Sequence, residues 1–225
     1  MLCGTVERAF DRSVWLFEIK SDGSRAISAV EPKTDVRLYS RQQNSLAERF
    51  PEIASGLRKL KHQVVFDGEI VVLNATGHPT CEAFSKRPRP SGYWLVYYVF
   101  DVLFLDGEDL RDRALVRSLV DCKRKLKSYF QITSRPFASQ CFEKAVERGL
   151  EGVVSKKPHT AYRSGRSSDW LINKNKKQGL PSALETGIGR NWPIGLAEGN
   201  RRLRVELATR FEVSIRGGEI VSPPN

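Results

Sequence analysis

Three Asp-Gly pairs, Asp22-Gly23, Asp67-Gly68 and Asp106-Gly107, each follow or interrupt a run of apolar and β-branched residues. The runs are Val14 to Phe17, Val64 to Phe66 with Ile70 to Leu73 beyond it, and Tyr97 to Leu105. Such residues suit a pleated, half-buried surface, and Asp-Gly suits a tight turn between strands. The pattern predicts hairpins, which build antiparallel sheets rather than a doubly wound parallel one. Strands are expected near 14–20, 25–30, 64–73, 94–105, 151–156 and 169–174. Helices are expected near 45–61, 113–128 and 138–149, the second carrying Leu115, Leu119, Cys122 and Leu126 at helical spacing. The expected class is α+β, antiparallel sheets with flanking helices.

The first of these strands delivers Lys20 into its turn, in Glu18-Ile19-Lys20-Ser21-Asp22-Gly23-Ser24-Arg25. At its ordinary pKa of about 10.4 a lysine is protonated at neutral pH, so a nucleophilic one needs desolvation or a cationic neighbour. Taken alone, K-x-D-G fits many solvated turns. Four further motifs follow in order: Ser40-Arg41 with Phe50-Pro51-Glu52-Ile53; Asp67-Gly68-Glu69 within Val64–Leu73; Tyr97 to Gly107; and Glu151 to Lys156, running through Tyr162, Gly165-Arg166-Ser167 and Trp170-Leu171 to Lys174. Together they cover most of residues 14 to 177.

This ordered set resembles the adenylation domain of ATP-dependent DNA ligases, in the bacterial end-joining type. The resemblance implies an ATP-grasp-like nucleotidyltransferase domain over 1–177, two packed sheets with the nucleotide between them. It implies Lys20 as the nucleophile that takes AMP, Glu18 in the adenine pocket and Phe100 stacked on the purine. Glu69 would lie near the ribose, and Glu69 and Glu151 would hold Mg2+. Arg25, Arg41, Lys156 and Lys174 would neutralise phosphate oxygens, of ATP first and of a 5′-phosphate later. The expected partner is nicked or broken double-stranded DNA, with a separate DNA-binding protein or domain as a further candidate. Two other functions stay open: a nucleotidyltransferase acting on RNA ends, and a non-catalytic nucleotide- or DNA-binding remnant.

Besides a glycine absent after Ser40-Arg41 in the second motif, the chain departs from the family pattern in two places. Where the family has Trp-Leu-Lys-x-Lys, this chain has Trp170-Leu171-Ile172-Asn173-Lys174, and Lys176 would partly compensate if the strand shifted by two residues, a shift that preserves the facing side. Family members also continue into an oligonucleotide-binding barrel, and 178–225 carries no barrel motif. That tail begins with a Gly- and Pro-containing linker over 179–200 and then alternates Leu203, Val205, Leu207, Thr209, Phe211, Val213 and Ile215 with mainly charged residues, which reads as strand. A barrel remnant, a new cap and a truncated reading frame all fit it.

The charge balance agrees with a polyanionic partner: 37 Lys and Arg against 26 Asp and Glu give a formal net charge of +11 in 225 residues. Basic clusters at Arg58-Lys59-Lys61, Lys86-Arg87-Arg89 and Lys123 to Lys127 are candidates for tracking a nucleic-acid backbone, and the loop 77–91, expected to be mobile, is a candidate for touching DNA or the nucleotide. Cys3, Cys81, Cys122 and Cys141 form no C-x-x-C pair, and His62, His78 and His159 have no ligand spacing. No Walker-type loop appears, so ATP use rests on the lysine-centred site. With no long apolar run and no signal-peptide pattern, no membrane association and a cytoplasmic location are expected.

Overall fold

The structure, a computed structural model, describes residues 2–8, 10, 15–32, 35–80, 84, 91–126, 138–175, 214–216 and 219–221. Its first sheet has the order β1-β9-β8-β2, from Leu2–Val6 (β1), Arg166–Lys174 (β9), Gly152–Lys156 (β8) and Leu16–Lys20 (β2). The second has the order β4-β3-β5-β6-β7, from Asp35–Ser40, Ser24–Glu31, Val64–Leu73, Trp94–Leu105 and Glu108–Asp109. The helices are Pro51–Leu57 (α1), Leu115–Leu126 (α2) and Ala138–Glu147 (α3). The class is α+β, as expected.

Period-two alternation decides what each sheet face covers. In the five-stranded sheet, Ala26, Val30, Phe66, Ile70, Val72, Tyr97 and Val99 pack with Phe50, Ile53 and Leu57 of the α1 region and Leu115 and Leu119 of α2. In the four-stranded sheet, Phe17, Val153 and Leu171 pack with Trp15, Ala145 and Phe142, the last two on α3. The opposite faces, with Glu18 and Lys20 on one sheet and Arg25, Asp67 and Glu69 on the other, meet in the gap between the sheets.

The Asp-Gly pairs do not all behave as expected. Only Asp106-Gly107 turns a hairpin, between β6 and β7. Asp22-Gly23 links strands of different sheets, and a Cβ on Gly23 would lie 2.3 Å from the Ile70 carbonyl oxygen, so the turn is pressed against β5. Asp67-Gly68 lies inside the single strand β5, where the register slips; Gly68 is required because a Cβ there would sit 2.5 Å from the Tyr98 carbonyl oxygen. The all-antiparallel expectation also needs correction, since β1 pairs with β9 in parallel. The helix expected over 45–61 is confined to Pro51–Leu57, because Ser45 bridges Tyr39 and proline suits only a first turn.

In the tail, Ser214–Arg216 (β10) pairs antiparallel with Glu219–Val221 (β11). The linker 179–200, the alternating residues from Leu203 to Val213, Lys176 and Lys127 lie outside the described residues, as do 81–83 and 85–90 of the basic loop. Among the described residues no helix is long and apolar enough to cross a membrane.

Candidate active site

Strand register assembles the inner face of the four-stranded sheet into three cross-strand rows. Leu16, Lys156 and Trp170 form one, Glu18, Val154 and Ile172 the next, and Lys20, Gly152 and Lys174 the third. Lys20 and Lys174 are thus separated only by a glycine. Gly152 has φ +146°, and a Cβ there would fall 2.1 Å from the Asn173 carbonyl oxygen, so glycine is what lets β9 approach and leaves the space between the two lysines clear. Ile172, in the position where the family pattern has lysine, sits in the row of Glu18.

Glu151 reaches Lys20 by way of the end of α3. Gly149 takes the left-handed conformation (φ +63°), its N–H donates to Val146, and the Leu150 N–H donates to Ala145 at 2.8 Å. This paired pattern after a helix turns the chain sharply and satisfies its last carbonyls. The result is that Arg148 and Glu151 flank Lys20. Lys20 Nζ donates to Glu151 Oε2 at 2.5 Å, with 20% and 22% of the two side chains exposed. Lys20, Asp22, His78, Arg148 and Glu151 line one small pocket of about 70 Å³. The start of the 77–91 loop therefore adjoins the lysine.

Glu69 comes from the facing sheet, where it pairs in register with Arg25. Burial pushes its carboxyl up to about 7, with Glu151 and Asp22 adding to the rise and Lys20 and Arg25 opposing it. Arg25 is held by Asp67 in a two-pronged pair, Nε to Oδ1 at 2.9 Å and Nη2 to Oδ2 at 2.5 Å, and Tyr162 donates to the same Oδ2 at 2.9 Å. Burial works against the Arg25 charge, but Asp67 overcomes it and holds the guanidinium protonated. Arg41 is exposed at the rim of a separate cleft lined also by Arg25, Tyr39, Ser40, Gln43 and Tyr162.

Phe100 owes its direction to a β-bulge. Asp67 pairs with Asp101 but Gly68 pairs with Val99, so Phe100 is the extra residue of β6; bulges commonly re-aim a side chain at a site. Its ring meets Trp170 edge-on at 6.2 Å and lies 5.8 Å from the Arg25 guanidinium. Lys156 is 1% exposed, with Nζ 2.7 Å from Glu18 Oε2 and 3.3 Å from the Phe100 carbonyl oxygen. Asp101, 3% exposed, lies close to this pair, and burial pushes its carboxyl up to about 7.

The expected residues thus divide into neighbourhoods. Lys20, Glu69 and Glu151 converge, with Lys174 in the same row as Lys20 beyond Gly152; Glu18, Lys156 and Phe100 form a second, deeper group; Arg25 is held by Asp67, to which Tyr162 also donates; and Arg41 is exposed on the rim of the cleft that Arg25 and Tyr162 line. Asp67, Asp101, His78 and Arg148 had no assigned role in the sequence reading. Asp67 was visible in its Asp-Gly-Glu motif and His78 opens the basic loop 77–91, whereas nothing in the local sequence marks Arg148.

The family model described as the ATP dependent DNA ligase domain matches residues 1–174. The chain is 34% identical over 168 residues to the multifunctional non-homologous end joining protein LigD of Pseudomonas aeruginosa, covering 71% of this chain and 20% of that protein. It is 30% identical over 182 residues to the SPbeta prophage-derived DNA ligase-like protein LigB of Bacillus subtilis, covering 76% of this chain and 65% of that one. Among solved structures, mycobacterial DNA ligase D complexed with ATP and MES superposes with a TM-score of 0.60 at 25% identity, over 77% of this chain and 60% of that one. The chain therefore spans about a fifth of that LigD and just under two thirds of LigB.

Proposed function

The chain belongs to the ATP-dependent DNA ligase domain family, and from that premise we propose that it catalyses covalent adenylyl transfer through Lys20 and passes the AMP to DNA. Lys20 Nζ attacks the α-phosphorus of ATP, a P–N bond forms, the bond to the β-phosphate oxygen breaks, and pyrophosphate leaves. Glu151, at 2.5 Å, is placed to take the proton that Nζ gives up. That contact is the observation that carries the reading, since it joins the lysine of the first motif to the glutamate of the last. AMP then moves to a 5′-phosphate at a nick, and a 3′-hydroxyl displaces it to form the phosphodiester.

In this reading Phe100 stacks on the purine and Glu18 meets its edge. Lys174, across Gly152 from Lys20 in the same row, neutralises phosphate oxygens, and Arg25 and Arg41 serve the phosphates from the facing sheet. Glu69 and Glu151 would hold magnesium. Two carboxylates suit that ion, which usually keeps several waters and takes substrate phosphates, and among the described residues no third His, Cys, Asp or Glu completes a protein-only site. When bound, such an ion neutralises charge that builds on the phosphates. By analogy with the end-joining relatives, the DNA steps belong to break repair.

The test of the DNA step is a chase. Protein carrying labelled AMP is mixed with a nicked duplex that has a 5′-phosphate, and label should move to the DNA before a sealed strand appears. Label that stays on the protein would overturn the DNA assignment and leave lysine adenylylation alone.

A further inference from the structure

His78 is held by its own turn, which also decides where its ring carries hydrogen. The backbone folds back on itself, the Asn74 N–H donating to the His78 carbonyl and the Gly77 N–H to the Asn74 carbonyl, each at 2.9 Å. Inside that turn Asn74 Oδ1 accepts from the N–H groups of Thr76 and His78, at 3.0 and 2.9 Å, and from the Thr76 hydroxyl at 2.7 Å. A hydroxyl has one hydrogen, and here it is given to Asn74. Thr76 Oγ1 therefore meets His78 Nδ1, 3.0 Å away, as an acceptor, and Nδ1 carries the hydrogen between them. In the neutral ring the lone pair then lies on Nε2, to which no hydrogen bond runs among the described residues. The ring lines the pocket of about 70 Å³ beside Lys20, where the charged groups facing it are Lys20 and Asp22 from β2 and its turn, and Arg148 and Glu151 from the end of α3. A space of that size takes a water or two, enough to join Nε2 to the lysine.

The proton count of adenylyl transfer calls for such a group. An ammonium nitrogen carries three hydrogens and a phosphoramidate nitrogen on lysine carries one, so two protons leave Nζ as the adduct forms. Glu151, which accepts the hydrogen bond from Nζ, serves for one of them. When AMP later leaves the lysine the P–N bond breaks, and the nitrogen takes up a proton to depart as an amine. A carboxylic acid of ordinary strength does not keep a proton at neutral pH, whereas an imidazole, with an ordinary value of about 6.5, holds one part of the time. We propose that His78 is the proton store of the lysine: Nε2 takes the second proton from Nζ through pocket water as the P–N bond forms. It returns that proton to the nitrogen when the bond breaks and AMP passes to pyrophosphate or to a 5′-phosphate.

This role rests on the Lys20 adduct proposed above, and the test keeps the two apart. Wild type and His78→Ala are loaded with AMP from ATP and magnesium, freed of nucleotide, and discharged with pyrophosphate and magnesium at stepped pH, the adduct being followed by intact mass. Discharge needs the protonated ring, so the wild-type rate should be highest in mild acid and fall at least about tenfold as pH rises through the histidine range near 6.5. Glu69, which burial raises to about 7, also titrates there, but it is present in both proteins and leaves the comparison unaffected. His78→Ala should discharge at least about tenfold more slowly at the acid end, lack the fall, and regain rate with added imidazole. Matching pH profiles in the two proteins, or a slow variant that imidazole does not restore, would overturn the role. Should His78→Ala accumulate no adduct, His78→Gln carries the same comparison, and a profile matching the wild type there overturns it equally. A wild type that takes up no AMP would remove the adduct and this role with it, whereas one that loads and discharges with no histidine limb overturns the role alone.

Discussion

Lys20 Nζ and Glu151 Oε2 lie 2.5 Å apart although 131 positions separate the residues in sequence, and the contact closes β2 onto the turn that follows α3. The pair is partly exposed, so its contribution to stability is small, within about 1 kcal/mol. Its contribution to chemistry is expected to be large. In Glu151→Gln the side chain keeps its shape but loses its charge, and with it both the proton acceptor and one carboxylate for a metal. Adduct formation should slow by at least about a hundredfold with little change in melting temperature. An unchanged adduct rate, measured by intact mass over time, would contradict the role given to Glu151.

Ile172 faces the site in the row of Glu18 and Val154, next to the row of Lys20 and Lys174. A lysine there would bring a further cation within reach of the phosphates. Ile172→Lys should lower the ATP concentration needed for half-maximal adduct formation by about tenfold, at a modest cost in stability from the lost apolar contact. If ATP dependence is unchanged or worsened, the face assigned to Ile172 does not meet the phosphates.

Much of this arrangement was legible in the sequence, and the misreadings have physical causes. The apolar runs located β2, β3, β5, β6, β8 and β9, because alternation with a buried face is a local property. The partner of each strand was not legible: Asp-Gly marks a turn but does not say whether the next strand joins the same sheet, and Asp22-Gly23 crosses to the other one. β4 lies outside the expected strands although Asp35, Val36, Arg37 and Leu38 alternate exposed and buried, because only two of its residues, Val36 and Leu38, are aliphatic and no Asp-Gly pair bounds it. β1 is short, and its parallel pairing with β9 depends on residues more than 160 positions away. In the site, Lys156 appeared as one cation among several. Its enclosure between Phe100 and Trp170 follows from sheet register and a bulge, which local sequence does not reveal.

Asp101 and Glu69 give the protein an expected stability slope in mild acid. Burial raises both carboxyls to about 7 in the folded state, against ordinary values of 3.8 and 4.5. Between those limits the folded protein binds protons that the unfolded chain has released, so stability is highest at the acid end of the window and falls as pH rises from about 4 to 7. For the enclosed Asp101 the effect is at most ~4 kcal/mol. Urea melts at stepped pH should show that fall in the wild type and a flatter profile in Asp101→Asn. Stability that rises across the window in both proteins would contradict the burial assigned to these groups.

The central claim is that Lys20 becomes covalently adenylylated. The direct measurement is intact mass of the purified chain after incubation with ATP and magnesium, beside Lys20→Ala treated in the same way. A gain of one AMP in the wild type, absent from Lys20→Ala and reversed by added pyrophosphate, is the predicted result. An unmodified wild type that nevertheless binds adenosine, or an adduct that persists in Lys20→Ala, would contradict it.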